Sequence, residues 1–174
     1  MRSSKQHQFA QIPRVNVRRS VFDRSHTYKT TFNEGGLIPI FCDEVLPGDT
    51  FTLDFNFFCR LSTPIVPFMD NIYLDYFFFY VPTRLVWKNF EKFMGQQDHP
   101  GDSTDFLVPQ TFCTNAQPHT AWDYFGLPTN IDKKISVNAL PFRAYCRIYN
   151  DWFRDENLTG SLGWGMEDGD GPDN

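Results

Sequence analysis

The sequence predicts a mainly β protein with inserted helices and long irregular loops. Three observations carry that reading. Phe51, Leu53, Phe55 and Phe57 alternate with Thr52, Asp54 and Asn56, the period of two expected of a strand with one buried face. Ile72 to Val81 carries apolar or aromatic side chains on both faces, interrupted by Asp75, so that strand needs cover on both sides. Thr83–Met94 and residues 140–158 instead place aromatics at helical spacing.

Residues 1–36 read as a basic N-terminal arm: polar, without sustained period, and closed by Asn33-Glu34-Gly35-Gly36. The first thirty residues hold seven Lys and Arg against Asp23 alone, a net +6 in a chain whose total is −5, which leaves −11 for the remainder. After Arg154 there are six acidic residues and no basic one. A basic arm on an acidic body can meet a polyanion, an acidic neighbour or both, although a solvated tail has the same composition. No apolar stretch follows the basic start, so no secretory leader is predicted. The longest apolar run, Tyr76–Val81, is far short of the ~20 residues that span a bilayer.

Residues 37–174 read as the packed part. Leu37–Phe41 is a short strand candidate, and Asp43–Asp49 a turn with Pro47-Gly48-Asp49 at its tip. Thr50–Leu61 is the clearest strand; Phe58 breaks its alternation, which predicts a bulge or burial of the second face. Ser62–Asp70, with Pro64 and Pro67, is a loop. Thr83–Met94 is predicted helical, capped by Thr83 after Pro82 and stopped by Gly95, with Val86, Trp87, Phe90, Phe93 and Met94 on one stripe. Gln96–Lys134 is rich in Pro and Asp and aperiodic, as functional or interface insertions often are. The second helix, 140–158, admits Pro141 in its first turn and carries Phe142, Tyr145, Tyr149, Trp152 and Phe153.

Catalytic patterns are not found. There is no GxSxG, and the pairs Asp43-Glu44 and Asp155-Glu156 are adjacent, which suits surface charge better than one site. Gly160–Gly165 fits neither phosphate-loop spacing. Asp168-Gly169-Asp170-Gly171 partly matches a calcium loop but lacks the closing glutamate. Cys42, Cys59, Cys113 and Cys146 are scattered, without the close pair that structural zinc uses, and read as reduced, mostly buried thiols. No cofactor, metal or small-molecule substrate is expected. With 19 Phe among 174 residues, aromatics serve mostly as core. Those outside the periodic segments, Phe9, Phe22 and Tyr28 in the arm, are the better candidates for nucleic-acid or inter-subunit contact.

Three stretches in order carry a resemblance. They are Arg19-Ser20-Val21-Phe22-Asp23-Arg24-Ser25-His26; Asp43-Glu44-Val45-Leu46-Pro47-Gly48-Asp49-Thr50-Phe51; and Tyr149-Asn150-Asp151-Trp152-Phe153-Arg154-Asp155-Glu156-Asn157-Leu158. Together with Phe78-Phe79-Tyr80-Val81-Pro82, they resemble the major capsid protein family of microviruses, in particular its gokushovirus branch. The resemblance runs from about Arg14 to the end, in a chain several times shorter than that family, and so implies an N-terminal fragment. It implies a viral jelly roll, an eight-stranded antiparallel β-sandwich with inserted loops, incomplete here. It further implies self-assembly through pentamers into a small icosahedral shell around circular single-stranded DNA. Internal scaffolding and DNA-pilot proteins would be partners. Assembly would take place in the bacterial host cytoplasm, and no catalytic residues carry over. Arg14, Arg18, Arg19, Arg24 and Lys29 of the arm are then the candidate contacts to phosphate or to a neighbouring subunit. Two readings from other classes compete: a carbohydrate-binding β-sandwich module, and a fragment of a β-sandwich hydrolase.

Overall fold

A computed structural model of the chain describes residues 18–163. Its one sheet lies where the sequence reads as irregular. Strand β1 (Gln110–Thr114) pairs antiparallel with β2 (Lys134–Asn138), with Gln110 opposite Asn138 and Thr114 opposite Lys134. Side chains sort by parity, as a pleat demands. Cys113, Ile135 and Val137 turn inward. On the outer face the Lys134 ammonium sits 3.6 Å from the centre of the Phe112 ring, and Ser136 Oγ donates to Gln110 Oε1 at 2.5 Å. Two further backbone bonds, Asn115 N to Ile131 O and Asn130 N to Ala116 O, carry the pairing into the connecting loop.

That loop holds a single helical turn, α1 (Ala121–Tyr124). It closes with Gly126 N on Asp123 O and Leu127 N on Trp122 O, a pattern that needs a left-handed residue and finds one in Gly126 at φ +85°. The expectation of an aperiodic Gln96–Lys134 is therefore corrected: a strand and a helical turn lie inside it. Five-residue strands and four-residue turns are too short to impose a visible period.

The main helix, α2 (Leu140–Ile148), starts where Pro141 allows it, with Asn138 Oδ1 accepting the Leu140 N–H. Its buried side chains are Phe142, Arg143 and Cys146, one helical stripe. Phe142 packs between Trp122 at 4.6 Å and Phe125 at 4.5 Å, centroid to centroid. Arg143 Nη1 reaches across to Val86 O at 3.3 Å, and Val86 and Trp87 are buried beside it. The core is thus sheet, α1, α2 and the Val86–Trp87 turn. Beyond Ile148 the helix widens by one residue per turn over Tyr149–Phe153, with Arg154 N bonding Tyr149 O. It ends at Arg154, whose backbone is extended, rather than at residue 158. Asp155 O and Oδ1 take up the N–H groups of Asn157, Leu158 and Thr159 in a turn that replaces the last helical residues.

Three other expectations are corrected. Thr83–Met94 is not one helix but a 3₁₀ turn, Thr83–Leu85, and a short α3 (Phe90–Phe93). Asn89, with φ −87° and ψ 11°, separates them, a residue that competes poorly inside helices. Thr83 lies inside the turn and Pro82 holds the cap position, without a side-chain cap. Gly95 does end α3, at φ +96°. Second, Leu37–Phe41, Thr50–Leu61 and Ile72–Val81 form no backbone ladder; among the described residues the sheet has two strands. Phe55 nevertheless lies over Phe78 (5.1 Å) and Phe57 over Tyr76 (5.1 Å), so the two segments run side by side in antiparallel sense, held by rings. Phe58 is neither bulged nor covered: it is 92% exposed. Third, Cys113 and Cys146 are buried but Cys42 and Cys59 are exposed, and all four are free. No helix among the described residues is long and apolar enough to cross a membrane.

Candidate assembly surface and basic arm

The described part of the arm lies along the body. It folds back at the Asn33–Gly36 turn, so that residues running toward the N-terminus meet residues running away from it. His26 stacks on Phe41 at 5.8 Å. Arg24 Nη2 bonds Asp43 Oδ1 at 2.9 Å. Arg19 Nη1 donates to Gly48 O and stands 3.8 Å from Asp49 Oδ1. Each step of two or more residues along one limb is matched along the other, as in a hairpin, yet the contacts are made by side chains. A Cβ at Gly48 would run into the Arg19 guanidinium, and Gly48 sits at φ +81°. The left-handed φ is what requires glycine in the Pro47-Gly48-Asp49 turn, since the exposed Arg19 head can swing aside; Asp49 closes the turn by bonding Leu46 N.

Tyrosine hydroxyls fix the arm to the core. Tyr28 donates to Tyr124 O at 2.9 Å, Tyr124 to Thr31 O at 3.3 Å and Tyr145 to Leu37 O at 2.8 Å. Burial raises the pKa of Tyr124 and of Tyr145, which keeps both as donors. Within the arm, Asp23 takes the Ser25 hydroxyl and N–H, and these bonds lower its pKa. None of the tyrosine tethers was legible locally, since their partners lie 93 to 108 residues away.

Of the five basic residues singled out, Arg19 and Arg24 are brought onto carboxylates of the body, Arg18 and Lys29 are exposed, and Arg14 lies outside the described residues. Of the aromatic contact candidates, Phe22 is 79% exposed and Tyr28 is tethered, while Phe9 also lies outside. The Asp168–Gly171 segment does too. Among the described residues no group of His, Cys, Asp or Glu is placed to hold a metal ion.

The third stretch forms a separate unit. Phe153 meets Phe77 and Phe79 at 5.6 and 6.0 Å, and Trp152 meets Phe79 at 5.7 Å. Arg154 Nη1 bonds Thr159 O at 3.0 Å, and Asn150 exchanges two bonds with the Leu162 backbone. A small open hollow between Val81, Leu85, Ile148 and Trp152 carries the Arg147–Asp151 pair at its edge, so its charges are matched and its walls apolar. Tyr80 and Trp152 of its lining, and Phe58, Tyr73 and Tyr76 elsewhere in the aromatic segments, are all more than half exposed.

The first two stretches thus meet as one clasped strap and the third braces the aromatic segment. Residues 10–174 match the family described as capsid protein (F protein). The chain belongs to that family. Capsid protein VP1 of Bdellovibrio phage phiMH2K is 52% identical over 171 residues, 97% of this chain and 32% of that protein. Capsid protein VP1 of Chlamydia phage 1 is 46% identical over 88% of this chain, and that of Spiroplasma virus 4 is 38% identical over 88%. The chain spans about a third of the length of these relatives. The expected family is therefore correct. The positions quoted for the resemblance lie in the strap (Phe22, Asp23, Arg24, His26), in its docking turn (Pro47, Gly48, Asp49) and in the brace (Trp152, Phe153, Arg154, Asp155, Asn157).

Proposed function

We propose that this chain is part of the shell protein of a small icosahedral virion, which self-assembles, through pentamers, around a circular single-stranded DNA genome. The observation that carries the reading is the 52% identity to a phage capsid protein across 97% of the chain. The bare aromatic surface supports it, because apolar side chains on this scale gain most when copies of the subunit or further segments of the same polypeptide cover them. The role is structural, not catalytic, and its place is the virion, assembled in the host cytoplasm with scaffolding and DNA-pilot proteins. The fold of the whole protein is a jelly-roll sandwich to which these residues contribute the strap, the aromatic pair and the hairpin–helix core. The arm contributes phosphate contacts indifferent to base sequence and weakened by salt. The family match does not favour a glycan-binding module or a hydrolase.

Light scattering and negative-stain microscopy of the full-length polypeptide, with and without single-stranded DNA, test this. Uniform closed particles or pentamers with salt-sensitive DNA uptake are expected; a monomer indifferent to DNA would overturn the reading. Arg14, Arg18, Arg19 and Arg24 all replaced by Ala should lower DNA content or particle yield.

A further inference from the structure

The arm's arginines have two claimants. Asp43 is only 11% exposed at its side chain while Arg24 is 67% exposed. The carboxylate is the fixed, sheltered member of the pair and the guanidinium the mobile one. Asp43 Oδ1 also accepts the Glu44 N–H at 2.9 Å, which locks its direction toward the arm. Arg19 is 65% exposed and held by the Gly48 carbonyl and Asp49 at the far end of the same turn. No backbone hydrogen bond links residues 18–32 to 37–49 among those described, so over this stretch the hairpin depends on side chains, two of its three contacts being ionic.

We infer that Asp43 and Asp49 form a charge clasp that holds the arm on its own body, and that nucleic-acid phosphate competes with these carboxylates for Arg24 and Arg19. A guanidinium carries five N–H donors but a single charge. A carboxylate that already neutralises that charge weakens the pull of a phosphate on it and the counterion release that drives phosphate binding. Docked, the arm offers phosphate only its unclasped cations, such as Arg18 and Lys29. Released, it adds two more. The competition rests on the arm being a nucleic-acid contact; the clasp does not.

The test uses the full-length polypeptide and an oligothymidylate. Replacing Asp43→Asn and Asp49→Asn together should speed chymotrypsin cleavage at Phe22, which lies between the two clasped arginines, and leave Tyr28 and Phe32, held by the tyrosine tethers, less affected. It should tighten oligothymidylate binding and steepen the log–log salt dependence by about 1.4, at about 0.7 per additional phosphate on a single strand. Adding Arg19→Gln and Arg24→Gln should abolish that gain. Unchanged protection would overturn the clasp. A gain that survives the two glutamines would overturn the competition, since it would reflect net charge alone. Faster cleavage without DNA binding by any variant would keep the clasp and overturn both the competition and the nucleic-acid role of the arm. If the Asn variant fails to fold, Arg24→Asp with Asp43→Arg provides the check: either single reversal should expose the arm and the double reversal should protect it again.

Discussion

Residues 109–148 and residues 50–81 are both rich in large apolar side chains, and they meet water in opposite ways. In the first, Phe142 is 4% exposed and Cys146 1%, with sheet, α1 and α2 closing on each other. In the second, Phe58 is 92%, Tyr73 79% and Tyr76 56% exposed, although neighbouring rings touch in antiparallel register. The first region satisfies its backbone locally and buries its stripe on itself. The second has the side-chain pattern of sheet without a ladder and the apolar area of a core without a cover. The second region therefore gains most from whatever covers it, which is further segments of the same polypeptide or, under the proposed function, neighbouring subunits.

The largest effects should fall in the first region. Phe142→Ala removes a ring wedged between Trp122 and Phe125 and should destabilise the subunit by about 3–5 kcal/mol, read as a lower denaturant midpoint. Phe58→Ser should leave the unassembled subunit within about 0.5 kcal/mol and reduce particle yield. If Phe58→Ser instead lowered the subunit midpoint by several kcal/mol, its cover would belong to the same polypeptide, and the contrast between the regions would be one of chain length and not of assembly.

What could be read from the sequence follows the same division. Gly95 and Pro141 fix helix ends through one residue's backbone, so each is legible. Of the expected aromatic stripe, Phe142 and Tyr145 pack on Phe125, but Trp152 is 73% exposed. The buried face is Phe142, Arg143 and Cys146, where the sequence predicts Arg143 on the polar side. The alternation of Phe51–Phe57 correctly signals one shared apolar face, and Phe55 and Phe57 do share one. It cannot say which backbone, if any, pairs with it, and none of the described residues does. The strap was illegible for another reason. Arg24 and Asp43 are 19 residues apart, and nothing periodic connects them; only the turn at Asn33–Gly36, midway between, hints that the limbs meet. The arm was expected to face a polyanion or the acidic body. The body holds the two arginines the structure can place on a partner.

A smaller effect separates the strap from the core. Tyr145→Phe removes the hydroxyl bonded to Leu37 O at 2.8 Å and leaves the ring against Phe125. The loss should be about 1 kcal/mol, with faster protease cleavage near Leu37 and no change in helix content by circular dichroism. A loss as large as that of Phe142→Ala would mean that arm and core unfold as one unit.

The finest probe of the contrast is thiol chemistry, because each cysteine reports its own surroundings. Burial pushes the Cys146 thiol up to about 11, and raises Cys42 as well, with Asp43 adding to the effect. The thiolate is the reactive form, so at pH 8 about one Cys146 thiol in a thousand is ionised. Exposed Cys59, amid the uncovered segment, should therefore alkylate first in the free subunit, Cys42 more slowly, and Cys146 last with buried Cys113. The sign with pH follows from burial. Unfolded Cys146 ionises near its ordinary 9.0 while the folded thiol holds its proton to about 11. Unfolding is therefore increasingly favoured between those values and unaffected by this group below them. On assembly Cys59 should become protected while Cys146, already inaccessible, does not change. Cys59 that stays reactive in closed particles would place its segment on an outer surface rather than under a cover.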